Sequence, residues 1–433
     1  MVIRLFLFQQ INICNLFYLS KIARHCIGLL QTAIFQATYQ NILMLRVAQS
    51  VSKSAGFRQH LYAGLPCVIH KARTQEFIYI NRCILIAFLK INRVAASAPI
   101  TPLLFSGVNR KKVMLLALGL FTLSNIISML TTNFTVLLIA RILPAFLHPV
   151  YVSMAFTVAA ASVSKEKAPK AVSKVFVGVS AGMVLGVPVT SFIASEVSFS
   201  MAMLFFTVVN ALVLIATILF IPSMPVKEKV SYGAQLSVLR KKVMWHSIIA
   251  VTLINGAMFG FFSYMSDYLK TVTEVSYSVI SVVLLVYGLA NIVGNVLAGK
   301  LLSINARRSI IIMPFALLVS YICLFMTGEW ITAVVIIILI LGVLAGIASN
   351  NMQYMIAEAA PEAPDFANGM FLTSANLGTT IGTAICGAFI TEMGTQYSVF
   401  GALLFLIASM VFVYLRIRVP HSPKQVKMNM ATE

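Results

Sequence analysis

The sequence predicts an all-α integral membrane protein, and three observations predict it. Uncharged apolar runs recur from residue 113 to residue 415. Hydrophobic residues make up 60% of the chain and charged residues 10%, whereas a soluble domain carries about 25% charge. Mean hydropathy is +0.93. Each run is long enough to cross about 30 Å of hydrocarbon as a helix. Lipid offers no partner to a backbone N–H or C=O, so helix is the conformation that runs of this length adopt.

Eight runs hold no Asp, Glu, Lys or Arg: residues 113–131, 175–195, 197–226, 243–266, 275–299, 309–328, 366–391 and 393–415. Residues 134–163 and 330–357 join them once a single arginine, Arg141, is accepted inside a span. That gives ten spans after residue 108.

The net charge of +20 does not point to nucleic acid, because the basic residues crowd into loops and the N-terminal stretch. Arg110, Lys111 and Lys112 precede the first run, and Lys165, Lys167, Lys170 and Lys174 follow two runs later. Lys227, Lys229, Arg240, Lys241 and Lys242 come next, then Lys300, Arg307 and Arg308, then Arg416, Arg418, Lys424 and Lys427. The alternate loops, near Thr132, Glu196, Glu274, Glu329 and Glu392, are short and carry only Lys270. The basic loops and the C terminus are therefore expected in the cytoplasm, against anionic lipid, with the chain in the cell membrane. The loop 358–365 is acidic, which bears little on orientation. Cys14, Cys26, Cys67, Cys83, Cys323 and Cys386 have neither CxxC nor ligand spacing, so no disulfide, metal or cofactor is expected.

Shifted by about 196 residues the chain matches itself: Ser106-Gly107-Val108-Asn109-Arg110-Lys111-Lys112 falls on Leu302-Ser303-Ile304-Asn305-Ala306-Arg307-Arg308. The division expected is a half-bundle over 96–224, a cytoplasmic linker over 225–242, a second half-bundle over 243–416 and a tail over 417–433. Two homologous halves predict six spans each, with a substrate site between them near midplane. The repeat breaks upstream. The positions matching the spans at 245–270 and 277–302 fall near 49–74 and 81–106, where the composition is polar and basic. Residues 1–94 hold eleven Lys/Arg against one acid, Glu76. The first two spans are not recognisable, and residues 1–95 read either as a specialised segment or as sequence displaced by a frameshift or mis-called start.

At Arg110 the chain comes to resemble the major facilitator superfamily, and within it the twelve-span drug/proton antiporters that include arabinose-efflux-like permeases. The resemblance covers about residues 95–416 and rests on four motifs. The first is the loop ending in Arg110, Lys111 and Lys112, where the family's aspartate position falls on Ser106. The second is Arg141 in Ile139-Ala140-Arg141-Ile142-Leu143-Pro144, with a titratable His148 two turns on. An intramembrane arginine is functional by default; the plainer account is snorkelling to an interface. The third is Gly178, Gly182, Gly186 and Pro188, like the family's antiporter motif. Its plainer account is close helix packing. The fourth is Asn368-Gly369, then Asn376-Leu377-Gly378, Gly382 and Gly387.

The resemblance implies a secondary transporter that exports a small organic compound (drug, sugar or nucleoside-like) by proton antiport, as a monomer and without enzymatic activity. Asn255, Asn291, Asn350 and Asn376 are candidates to line a substrate cavity, the plainer account being interhelical hydrogen bonds. Asp267 is the best carboxylate left for coupling, and a solvated helix end is its plainer account. An importer of the same fold and an inactive truncated or frameshifted product are the alternatives.

Overall fold

The computed structural model describes residues 101–419, apart from 103, 106, 132, 222 and 224–231. The atypical segment 1–95, the start of the expected linker and nearly all of the expected tail lie outside the described residues. Among those described, every regular element is a helix.

α1 (Arg110–Leu130) begins at Asn109, whose side chain accepts the Lys111 backbone N–H at 3.0 Å; Asn is a preferred N-cap for this reason. α2 (Phe134–Ala145) and α3 (His148–Ala161) follow. Here the structure departs from the single span expected over 134–163, because the helix breaks at Phe146–Leu147. Pro144 and Pro149 lack the N–H groups that would bond the carbonyls of Ala140 and Ala145. The Ala140 carbonyl instead accepts the hydroxyl of Ser124 from α1, buried at 5% exposure. Replacing Ser124 with alanine strands that carbonyl and is expected to cost about 1–3 kcal/mol. A thermal melt of the purified protein reads it, and an unchanged melting temperature would remove Ser124 from this role.

α4 (Ala168–Glu196) starts after a 3₁₀ turn at Lys165–Lys167. In that turn the Glu166 carboxyl is held below its usual range, first by its own backbone N–H, then by Ser164 and the flanking lysines. α5 (Phe199–Phe220) is capped by Ser198, which accepts from Met201 N at 3.2 Å. Lys111 Nζ donates to the Ile218 carbonyl in the last turn of α5 at 2.9 Å, where a cation meets the negative end of the helix dipole.

α6 (Tyr232–Ser237), α7 (Lys242–Phe262) and α8 (Met265–Thr271) lead to α9 (Tyr277–Met326), a 50-residue helix broken at Asn305 (φ −157°, ψ 87°). Asn305 Oδ1 accepts the Arg308 N–H at 2.9 Å and restarts the helix, so α9 carries the two spans expected at 275–299 and 309–328. α10 (Ile331–Ala359), α11 (Pro364–Met393) and α12 (Ser398–Arg418) complete the fold. Among the described residues, seven helices are long and apolar enough to cross a membrane, α9 among them.

The chain groups into two compact units. Among the described residues, one holds 108–155 with those of 174–223; the other holds those of 102–107, 156–173 and 232–419. In the first, Ala202, Met203 and Phe206 of α5 pack with Met129 and Ile193. In the second, α7 meets α11 and α9 meets α10 along glycines: a Cβ on Gly260 would lie 2.8 Å from the Gly382 carbonyl, and one on Gly342 2.7 Å from the Tyr287 carbonyl. Small residues allow this backbone approach, which stands in for the hydrophobic drive that lipid removes. Leu204, Val208, Leu212, Ile215 and Leu219 of α5 are exposed, as are Ile312, Phe315, Val319, Ile322 and Met326 of α9. Each set repeats at three- and four-residue spacing, forming an apolar stripe that faces outward, as a lipid-bathed helix requires.

Candidate functional site

The polar side chains of the second unit form a directed ladder. Asn350 Nδ2 on α10 donates to Asn295 Oδ1 on α9 at 2.8 Å and to the Gly346 carbonyl at 2.9 Å. Asn295 Nδ2 donates to Asn291 Oδ1 at 3.1 Å, and Asn291 Nδ2 to the Gly342 carbonyl at 3.4 Å. Both acceptors of Asn350 demand its amino group, which fixes the flip of the amide. Its Oδ1 is left buried with no partner among the described residues, on a residue only 1% exposed. This end of the ladder is an acceptor that a water or a solute hydroxyl can meet.

Two further amide links join other helices. Asn255 Nδ2 on α7 donates to the Ala375 carbonyl at 2.5 Å and to Thr379 Oγ1 at 2.8 Å, both on α11. Gln353 Nε2 donates to Asn368 Oδ1 at 2.8 Å, and Asn368 Nδ2 to Thr157 Oγ1 at 3.2 Å. Beside the ladder, Phe262 and Tyr287 stack at 5.1 Å between centroids and 27° between planes. Tyr287 and Asn291 lie one turn apart on α9, so aromatic and amide groups share one face of that helix.

Of the four cavity candidates, Asn255, Asn291 and Asn350 are thus engaged between helices. Asn376 is part-buried and bonds back to the Leu372 carbonyl of its own helix at 2.7 Å. Arg141 lies on α2, and His148 opens α3 half-buried, so the two flank the proline break. Asp267 is exposed in the first turn of α8, a position where a carboxylate meets the positive end of a helix dipole. Gly178, Gly182 and Gly186 are all buried on α4. Among the described residues no group of three or more His, Cys, Asp or Glu could hold a metal ion.

Sequence reasoning passed over three features. Asp365, at the start of α11, is a buried carboxylate at 5% exposure. Ser124 completes the α2 break. Arg416, counted as one more basic tail residue, is buried and paired with Glu358 at 2.6 Å. Burial of a charge beside an opposite one 58 positions away leaves no local sequence signal.

A bundle of lipid-facing helices joined by buried amides and close glycine contacts is the architecture of a multi-pass membrane protein. The family model of the Major Facilitator Superfamily matches residues 93–364 and 268–431, and the chain belongs to that superfamily. The uncharacterized MFS-type transporter YtbD of Bacillus subtilis is 28% identical over 323 residues, covering 73% of this chain and 82% of that protein. The probable sugar efflux transporter of Helicobacter pylori strain P12 is 25% identical over 309 residues, 71% of this chain and 78% of that protein. Among solved structures, the human organic anion transporter MFSD10 superposes with a TM-score of 0.69 at 15% identity, over 90% of this chain and 98% of that one. FucP, solved in an outward conformation, does so with a TM-score of 0.68 at 12% identity, over 91% and 98%. This is a transporter of a small molecule.

Proposed function

We propose that the protein exports a small organic solute, sugar-like, drug or nucleoside-like, across the cell membrane in exchange for protons, with its C terminus in the cytoplasm. The observation that carries this reading is the α4 run Gly178, Gly182, Gly186 and Pro188, buried at all three glycines and like the antiporter motif of exporters. The efflux name of the Helicobacter pylori relative supports the direction. The amide ladder with its open Asn350 oxygen, beside stacked aromatic rings, suits a neutral or weakly cationic solute bearing hydroxyl or N–H groups. Arg141, His148 and Asp267 are the coupling candidates, and the buried Asp365 joins them.

Cells expressing the protein should accumulate less of a radiolabelled thiogalactoside or of ethidium than cells without it, and a proton uncoupler should erase the difference. Uptake in place of export, or export that survives the uncoupler, would reject the antiporter reading. Gly186→Leu is expected to block export while the protein still reaches the membrane in normal amount, because a large side chain parts helices that must stay in close contact. Undiminished export by this variant would remove the α4 run from the argument.

A second reading is favoured by one observation: the family match begins at residue 93, beyond a stretch with ten Lys/Arg and one acid. On this reading the chain as it stands exports weakly or not at all. Replacing residues 1–95 with the first two spans of the Bacillus subtilis relative should then raise export. Equal export before and after the exchange would dismiss it.

A further inference from the structure

Three helices of the second unit end at one side chain. Arg416, in the last turn of α12, is 9% exposed. Its Nε donates to Ser247 Oγ near the start of α7 at 2.9 Å. Its Nη2 donates to the Met355 carbonyl at 3.1 Å and to Glu358 Oε2 at 2.6 Å, both in the final turns of α10. A second tie runs alongside: Lys241, immediately before α7, pairs with Glu362 at 2.5 Å and donates to the Ala359 carbonyl at 3.3 Å. The guanidinium suits this place. Its donors form a rigid fork, so separate nitrogens reach different helices at once, which a lysine ammonium cannot do with the same geometry. The cation also sits at the C-terminal ends of both α10 and α12, where helix dipoles favour it.

A buried guanidinium is costly unless it is paired and hydrogen-bonded, and here two of its nitrogens meet three acceptors. The internal repeat makes the arrangement one-sided. Shifted by about 196 residues, Glu358 and Arg416 fall on Ser162 and Phe220, so the first half has no equivalent pair.

We propose that Arg416 is a positioning residue of the transport cycle: it staples the ends of α7, α10 and α12, so that these helices keep their spacing while the second unit moves. This rests on the transporter class and not on the direction of transport. The staple has two separable arms, one to α7 through Ser247 and one to α10 through Glu358 and the Met355 carbonyl. Arg416→Lys retains a cation for Glu358 and gives up the Nε donor to Ser247.

Hydrogen exchange on the full chain in lipid nanodiscs tests this without knowledge of the substrate. Arg416→Met should raise exchange about tenfold or more at the Ser247, Met355 and Arg416 ends together, as expected from loss of hydrogen bonds to a charged group. Arg416→Lys and Ser247→Ala should each raise it at the α7 end alone. Faster exchange confined to α12 in Arg416→Met, or none, overturns the staple. So does equal loosening of α7 and α10 by Ser247→Ala. In cells where the unaltered protein lowers thiogalactoside or ethidium accumulation, Arg416→Met should lower the maximal export rate with the half-saturating concentration unchanged, and Arg416→Lys should recover part of that rate. A shift in half-saturation at full rate would instead place Arg416 at the solute and overturn the positioning role. Where no export of either probe occurs, the exchange pattern alone decides.

Discussion

Gly382→Val should uncouple α7 from α11 and leave little folded protein. A Cβ at Gly382 would stand 2.6 Å from the Gly256 Cα and 2.7 Å from the Gly256 carbonyl carbon. The seam is as tight one turn on, since a Cβ at Gly260 would meet the Gly382 carbonyl carbon and oxygen at 2.8 Å. The atoms in the way are backbone on both sides, so no side chain can turn aside and the helices themselves must part. Overpacking of a core costs about 1–3 kcal/mol and occasionally more, and a backbone-on-backbone seam belongs at the high end. Parting the helices also stretches the Asn255 bonds to the Ala375 carbonyl and to Thr379 on the same seam. The measurement is the yield of monodisperse protein and its melting temperature after extraction. Gly119→Ala is the control: nothing lies within 4 Å of its added Cβ, and relief of glycine's entropy in a helix should stabilise by about 0.5–1 kcal/mol. A Gly382→Val protein as stable as the unaltered one would refute the seam.

The spans were legible because lipid leaves the sequence one solution, and uncharged runs of that length signal it directly. The break between α2 and α3 was less so. Pro144 and Pro149 stand in plain view, but a span can keep a proline when a neighbour satisfies the freed carbonyl, and that neighbour, Ser124, lies 16 positions away from Ala140. The glycines were visible as motifs, yet their partners were not: that Gly382 faces Gly256 is a fact of packing and not of local pattern. By sequence, Asn255, Asn291 and Asn350 suit a cavity, with helix-to-helix bonding as the plainer account, and the structure engages all three between helices. The acidic loop after α10 carried little weight for orientation, but Glu358 and Glu362 each hold a cation from another segment. Charges that act by pairing across the fold reveal themselves only once the fold is known.

Arg141→Ala should abolish export while leaving the protein at least as abundant in the membrane. A basic residue inside a span costs about 2.5–3.5 kcal/mol on insertion scales, so its removal eases insertion; any loss of transport is then a loss of function and not of assembly. Arg141 sits one residue beyond Ala140, whose carbonyl is taken by Ser124, and three residues before Pro144. The helix is interrupted at Phe146–Leu147, a little more than one turn beyond the arginine, and His148 follows on the far side of the break. Carbonyls freed by a proline break soften a helix at one place, which is where a charge that changes partners during a cycle is best placed. Arg141→Lys keeps the charge and loses the planar fork, so it should fall well below the unaltered protein and above Arg141→Ala. Export of the thiogalactoside and ethidium probes, scaled to the amount of protein in the membrane, gives the order of the three. Full export by Arg141→Ala at normal abundance would mean that the arginine only reaches for an interface, and the coupling role would pass to His148 or to the buried Asp365.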